Sequence, residues 1–237
     1  MSKSILEVHS LSFSYTSYPL LKNLSFSIQP GEICALIGVS GSGKSTLFKL
    51  LTGILPMQGG SIKVEREQIA YMMQEDLLLP WRNVMDNILL PLELGKKKDF
   101  PNRNHEALKI LEEVGLPSCS KLFPHELSGG MRQRVSLARA LMQKRSLILL
   151  DEPFGSLDII LRDQMTSLLH AISSKTGTAI FFITHDFRDA LALADKIFIL
   201  SQGTLRRTWE HISKIRKDYY ALGEVQEEMK NELLLNL

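Results

Sequence analysis

The first apolar positions of the chain alternate with polar ones. ILEVHSLSFSY alternates imperfectly and NLSFSIQPGE more cleanly before a Pro-Gly turn, which predicts two antiparallel strands near the N-terminus. ICALIG is a short, nearly continuous apolar run, the pattern of a strand buried on both faces of a sheet. Beyond Gly43 the period lengthens, with Leu47, Leu50, Leu51 and Ile54 at helical spacing, so this segment reads strand, glycine-rich loop, helix. From Gln74 to about Gln143 the period stays helical between Pro- and Gly-rich connections. HEALKILEEVGL sets Leu108, Leu111 and Val114 on one face, and RQRVSLARALM repeats the pattern with Val135, Ala138 and Leu141 or Met142. SLILLDEP, LRDQMTSLLHAI, TAIFFITH, FRDALALAD and KIFILSQG then alternate strand with helix. This order predicts an α/β fold with a mostly parallel, helix-covered sheet, antiparallel N-terminal strands and an inserted helical subdomain. The expected limits are 1–73 and 144–208 for the sheet-bearing part and 74–143 for the subdomain, with a charged, helical tail over 209–237.

Composition narrows the classes. At 237 residues and 44% hydrophobic side chains, the chain is long enough for a sizeable core. A net charge of +2 makes no electrostatic case for nucleic acid as the main partner, and none is expected. Cys34 and Cys119 fall in unrelated settings and form neither a disulfide framework nor a metal site, which fits a reducing compartment. MSKSILEVHS lacks the charged-then-apolar order of a secretory signal, and SLILL and TAIFFI are far shorter than the ~20 residues of a membrane span. Any membrane role is therefore expected to come through a partner.

The chemistry begins with GVSGSGKST, Gly38 to Thr46, which satisfies G-x-x-x-x-G-K-[ST] between a predicted strand and a predicted helix. Gly38, Gly41 and Gly43 let the backbone wrap so that the N–H groups of the loop, which also holds Ser40 and Ser42 as expected nucleotide contacts, converge on an anion, and the helix adds its positive end. Lys44 would reach the β- and γ-phosphates, Ser45 would offer its hydroxyl to Mg²⁺, and Thr46 would contact the α-phosphate of a bound nucleotide. LILLDEP places Asp151 and Glu152 at the C-terminal end of a strand, the edge where parallel sheets bind ligands. Asp151 is expected to support Mg²⁺, and Glu152 to act as the base for a water attacking the γ-phosphorus. His185 ends the next strand in FFITHD. A lone histidine at a strand end is more often structural or merely exposed, but beside the acidic strand end a γ-phosphate contact becomes the better reading. Gln74 in YMMQED follows a strand-like stretch in the same way, and by itself means little.

Far downstream, LSGGM offers a second anion site: Ser128, Gly129 and Gly130 stand at the N-terminus of a predicted helix. Taken in order, these residues resemble the ATP-binding subunit of an ABC transporter, with a P-loop NTPase core, over nearly the whole chain to about Thr208. The resemblance identifies Gly38 to Thr46 as the Walker A loop, Gln74 as the Q-loop glutamine and metal ligand, LSGGM as the signature, and Asp151 and Glu152 as Walker B. It further makes SLD, Ser156 to Asp158, the D-loop, with Asp158 in dimer communication, and His185 the switch histidine. Tyr15 matches the aromatic that stacks on adenine, with Phe13 and Tyr18 as close rivals. Met131 departs from the more usual glutamine of the signature, while its serine and both glycines are kept.

The resemblance implies a head-to-tail homodimer holding two ATP molecules with Mg²⁺, each between one subunit's Walker A and the other's Ser128, Gly129 and Gly130 in trans. ATP would close the pair and hydrolysis reopen it, driving membrane permease subunits from the cytoplasmic face of the cell membrane. LSGGMRQRV, QEDLLLPWRNVMDNILLPLE and LLDEPFGSLD are similar to the branch that takes up nitrate, sulfonates, taurine and thiamine precursors, in which a separate solute-binding protein reads the cargo. Leu77, Leu78, Leu79, Trp81 and Val84 are expected to divide between the subdomain core and an exposed patch for a permease helix. The rival reading is a soluble ABC-type ATPase switch of DNA repair or ribosome function. Such proteins carry a long coiled coil or two ATPase halves, and this chain has neither. A P-loop kinase has no use for LSGGM.

Overall fold

The two alternating segments pair as an antiparallel hairpin, β1 (Leu6–Tyr15) with β2 (Tyr18–Ile28), Tyr15 opposite Tyr18 at its end. The computed structural model of the chain describes residues 3–95, 102–216 and 218–234. Positions 1–2 of the predicted sheet-bearing part, 96–101 of the predicted subdomain, and 217 and 235–237 of the predicted tail lie outside the described residues. After the hairpin come β3 (Ile33–Ile37), α1 (Lys44–Thr52), β4 (Gly59–Lys63), β5 (Ile69–Met72), α2 (Val84–Leu94), α3 (Arg103–Glu113) and α4 (Gly129–Leu141). β6 (Leu147–Asp151), α5 (Ile159–Thr176), β7 (Ala179–Thr184), α6 (Phe187–Leu193), β8 (Lys196–Ser201), β9 (Thr204–Trp209), α7 (Ile212–Ile215) and α8 (Tyr219–Leu234) complete the described chain.

Two sheets result: an antiparallel one in the order β2-β1-β4, and a larger one in the order β5-β6-β7-β3-β8-β9, parallel except where β9 meets β8. Every residue of β3, β6 and β7 is buried, as continuous apolar runs require when both faces are covered. Strand period two then divides the core. Ile33, Ala35 and Ile37 face the helices α2 to α6, while Cys34 and Leu36 face a second core in which α1 lies between the two sheets.

Some helical expectations shift by a residue or an element. Ile54 is 56% exposed because α1 stops at Thr52, where Gly53 turns left-handed (φ 78°) and donates its N–H to the Leu50 carbonyl. Leu108 faces solvent. The buried face of α3 is Ala107, Ile110 and Leu111, continued by Val114, an i, i+3, i+4, i+7 set whose small alanine is easily overlooked. Trp209, expected to begin the tail, instead ends β9, an edge strand disguised by the polar sequence TLRRTW. Its buried indole donates to Glu228 (3.1 Å), and Arg207 stacks 4.7 Å from the ring centroid while pairing with Glu228 at 2.7 Å. With Ile212 and Met229 also buried, the tail helices are part of the core.

A buried polar residue organises the turn that follows Gln74. Asn87, fully buried in α2, donates to the carbonyls of Leu79, Arg82 and Asn83 and accepts the Leu79 N–H at 2.7 Å. Asn87→Ala takes this partner from the Leu79 N–H and the Arg82 carbonyl, while the Leu79 and Asn83 carbonyls keep backbone donors, and is expected to lower stability by about 2–3 kcal/mol in urea denaturation.

Candidate active site

Four neighbouring strand ends build one cleft. The order β5-β6-β7-β3 sets their C-terminal edges side by side, and the register pairs Ile37 with Thr184 and Asp151 with Ile183. Gly38 and His185 therefore leave the sheet at one level and Glu152 one residue before them, beside Thr184, with Gln74 just beyond the end of β5. A cleft of about 1080 Å³ opens there. Of the expected residues, Gly38, Ser40, Gly41, Gly43, Lys44, Ser45, Thr46, Gln74, Gly129, Asp151, Glu152 and His185 line it.

The loop before α1 has glycine where no side chain fits. A β-carbon on Gly38 would lie 2.4 Å from the Leu200 carbonyl oxygen, and Gly43, the N-cap of α1, has φ +102°. Lys44 curls back inside the loop, its ammonium donating to the carbonyls of Gly38 (2.7 Å) and Val39 (3.0 Å). Burial pulls the Lys44 pKa down, and Glu152 and Asp151 oppose that shift. Ser42 is buried beneath the loop rather than on the cleft wall, and its hydroxyl lacks a partner among the described residues.

The two carboxylates differ. Asp151 is 2% exposed and raised by burial, with a Ser45 hydrogen bond and the charge of Lys44 holding it down. Glu152 is also raised by burial, opposed first by His185, whose Nδ1 lies 2.8 Å from Glu152 Oε2, then by Lys44, with Asp151 adding to the rise. A carboxylate raised toward neutrality is a better proton acceptor. The Glu152 backbone is left-handed, φ +53°, a conformation that costs a residue with a β-carbon roughly 1–3 kcal/mol and recurs where chemistry is done.

A family model described as "ABC transporter" matches residues 21–155, more than half of the chain. The chain belongs to the ABC transporter family. Among its relatives is the taurine import ATP-binding protein TauB of Shigella dysenteriae, 37% identical over 96% of this chain and 91% of that one. The formylaminopyrimidine import ATP-binding protein ThiZ of Halalkalibacterium halodurans is 40% identical over 86% and 83%. Among solved structures, the dimeric post-hydrolysis state of the ATP-binding cassette MJ0796 bound to ADP and Pi superposes with a TM-score of 0.81 at 25% identity, covering 86% of this chain and 98% of that one.

The family motifs bring further residues into view. The stretch LSGGM, expected to be the signature, opens α4: Ser128 caps the helix by accepting the Met131 N–H at 3.2 Å, which leaves its hydroxyl proton free to donate. Met131 packs its side chain against the larger core. Gly129 borders the cleft, but Ser128 and Gly130 do not line it. Tyr15 also lies off the lining, 47% exposed, with Phe13 edge-on at 4.9 Å. Leu20, which was not expected, lines it. Asp158 caps α5 by accepting the Leu161 N–H at 2.9 Å.

Sequence reasoning missed a set of contacts made by α4. Arg132 pairs with Asp76 at 2.9 Å, Arg139 donates to the carbonyls of Asp76 (2.6 Å) and Leu77 (2.9 Å), and Gln133 reaches Glu152 and Ser156. The seven-residue interval between the two arginines, two turns on one helix face, is the signal that could have found the first part of this network. Leu78 and Val84 are buried, whereas Leu77 and Trp81 are exposed by 50% and 72%.

Proposed function

We propose that this chain is the ATP-hydrolysing subunit of a membrane importer for a small anionic, sulfonate-like or thiamine-precursor-like solute. It works as a homodimer beneath permease subunits at the cytoplasmic face of the cell membrane, with cargo delivered by a separate solute-binding protein. The observation that carries this reading is the convergence of the Lys44 loop, Asp151, Glu152, His185 and Gln74 on one cleft at adjacent strand ends. The relatives named as import ATP-binding proteins favour it over a soluble switch of DNA repair or ribosome function. Among the described residues no helix is long and apolar enough to cross a membrane, so the path for solute is assigned to the permease.

The loop amides and Lys44 hold the β- and γ-phosphates, Thr46 the α-phosphate, and Tyr15 stacks on adenine. Lys44 and Arg132 share the cleft lining with four carboxylates, Glu75, Asp76, Asp151 and Glu152, and a triphosphate adds about four negative charges, so a divalent cation fits the charge balance. Ser45, Gln74 and Asp151 are oxygen donors of the kind Mg²⁺ prefers, and the ion would supply neutralisation of phosphate charge. Glu152 takes a proton from water as the water oxygen bonds to the γ-phosphorus. The bond from that phosphorus to the bridging oxygen breaks, leaving ADP and phosphate. His185 contacts the γ-phosphate and holds the Glu152 carboxylate.

In the dimer, Ser128, Gly129 and Gly130 of one subunit add contacts to the nucleotide of the other, so ATP favours the closed pair only through those added contacts. Asp158 links the two sites. Exposed Leu77 and Trp81 dock a permease helix. The test is reconstitution with the copurifying permease and binding protein in vesicles: ATP is expected to drive uptake of a sulfonate or pyrimidine solute. Trp81→Ala is expected to cut permease copurification about tenfold while the isolated subunit hydrolyses ATP at the parental rate. Copurification with ribosomes or DNA in place of a permease refutes the reading.

A further inference from the structure

Glu152 is pinned from two sides. Its left-handed backbone, φ +53°, is disfavoured for a residue with a β-carbon. Its N–H donates to the Ile183 carbonyl at 3.1 Å, which ties it to β7. Its carbonyl oxygen accepts from Gln133 Nε2 at 2.5 Å, and Gln133 belongs to the signature helix α4. The amide orientation follows from its partners. A backbone carbonyl can only accept, so the nitrogen faces Glu152, and Oε1 is left to accept the Ser156 hydroxyl. One side chain therefore spans the loop from Glu152 to Ser156.

The helix comes close enough for this because of a neighbour on the same face. Gly130 precedes Gln133 by one turn, and a β-carbon there would lie 3.0 Å from the Ser156 carbonyl oxygen. The same helix holds the stretch proposed to dock the permease, through Arg139 and the carbonyls of Asp76 and Leu77. The anion-binding role of the signature uses residues 128–130 and gives Gln133 nothing to do.

We infer that Gln133 is a positioning residue for hydrolysis: it fixes the Glu152 backbone so that the carboxylate stays against His185, and thereby makes the alignment of the base depend on the position of the signature helix. The inference rests on the reading of Glu152 as the base. A shift of α4, whether from nucleotide at its N-terminus or from the permease at Leu77, reaches the reacting water through this one bond.

Steady-state ATP hydrolysis by the full chain tests it. Gln133→Ala is expected to lower kcat about tenfold with the KM for ATP changed less than about twofold. Gln133→Glu keeps the acceptor for Ser156 but has no donor for Glu152, and is expected to match Gln133→Ala. Ser156→Ala, which keeps that donor, is expected to cost less. An unchanged kcat in Gln133→Ala, or a loss that appears in KM alone, overturns the inference. In single turnover, Gln133→Ala should add nothing in a Glu152→Gln background. An equal loss in both backgrounds overturns the inference while leaving the base in place, whereas a parental rate from Glu152→Gln alone removes the base and the inference with it.

Discussion

Glu152→Gln is expected to lower kcat for ATP hydrolysis about 10³-fold, within the range a positioned general base contributes, and to change ATP affinity less than about threefold. The phosphate contacts belong to the Lys44 loop and remain, and a carboxamide can still hydrogen-bond His185, which lies 2.8 Å from the carboxylate. ATP-bound pairs should therefore accumulate, visible as a shift to dimer mass in size-exclusion chromatography with ATP and Mg²⁺. A variant that stays monomeric in saturating ATP refutes the sandwich for this protein. The pH profile of the parent supplies a second check. Burial raises the Glu152 pKa above the usual glutamate range. The working form is the ionised one, so activity is full above that raised pKa and is lost as pH falls through it. In Glu152→Gln this limb should vanish from the residual rate.

The parts of this site that were legible in the sequence are those encoded locally. The Lys44 loop is contiguous and its glycines answer to local sterics, so the motif survives without tertiary information. β3, β6 and β7 are continuous apolar runs, and such runs end where parallel strands present ligand-binding residues. What stayed hidden depends on residues that a hydrophobic pattern treats as surface. Asn87 and Gln133 are polar, yet one closes the turn after the cleft and the other braces the base. β9 was hidden because an edge strand needs apolar residues on one side only, and TLRRTW meets that need largely through Trp209. LSGGM reads in the sequence as an anion site, and its contact with the Ser156 loop did not show there. Gly130 also admits the Ser156 carbonyl at a distance a β-carbon would crowd, a tertiary demand on a residue already explained by its motif.

Two inactive variants are expected to regain activity when mixed. Ser128→Arg fills the N-terminus of α4 and removes its cap, while the same chain still binds nucleotide through Lys44. Lys44→Ala removes the ammonium from the loop and leaves the signature whole. In a mixed pair, one site combines both defects. The other joins the unaltered Lys44 of the first subunit to the unaltered Ser128 of the second. Random pairing makes about half of the dimers mixed, so recovery is bounded at roughly a quarter of the parental sites, well above either variant alone. The outcome is not foregone, because Gly129 borders the same cleft as Lys44 within one chain. Were the signature to serve its own chain's nucleotide, each subunit would carry one broken element and the mixture would stay inactive. The cap lost in Ser128→Arg costs about 1 kcal/mol, a few degrees of melting temperature at most, so a thermal melt separates failure to fold from failure to pair. If the Ser128→Arg monomer no longer binds nucleotide, the division of labour between the Lys44 loop and the signature is wrong, because the altered helix end then serves the nucleotide of its own chain.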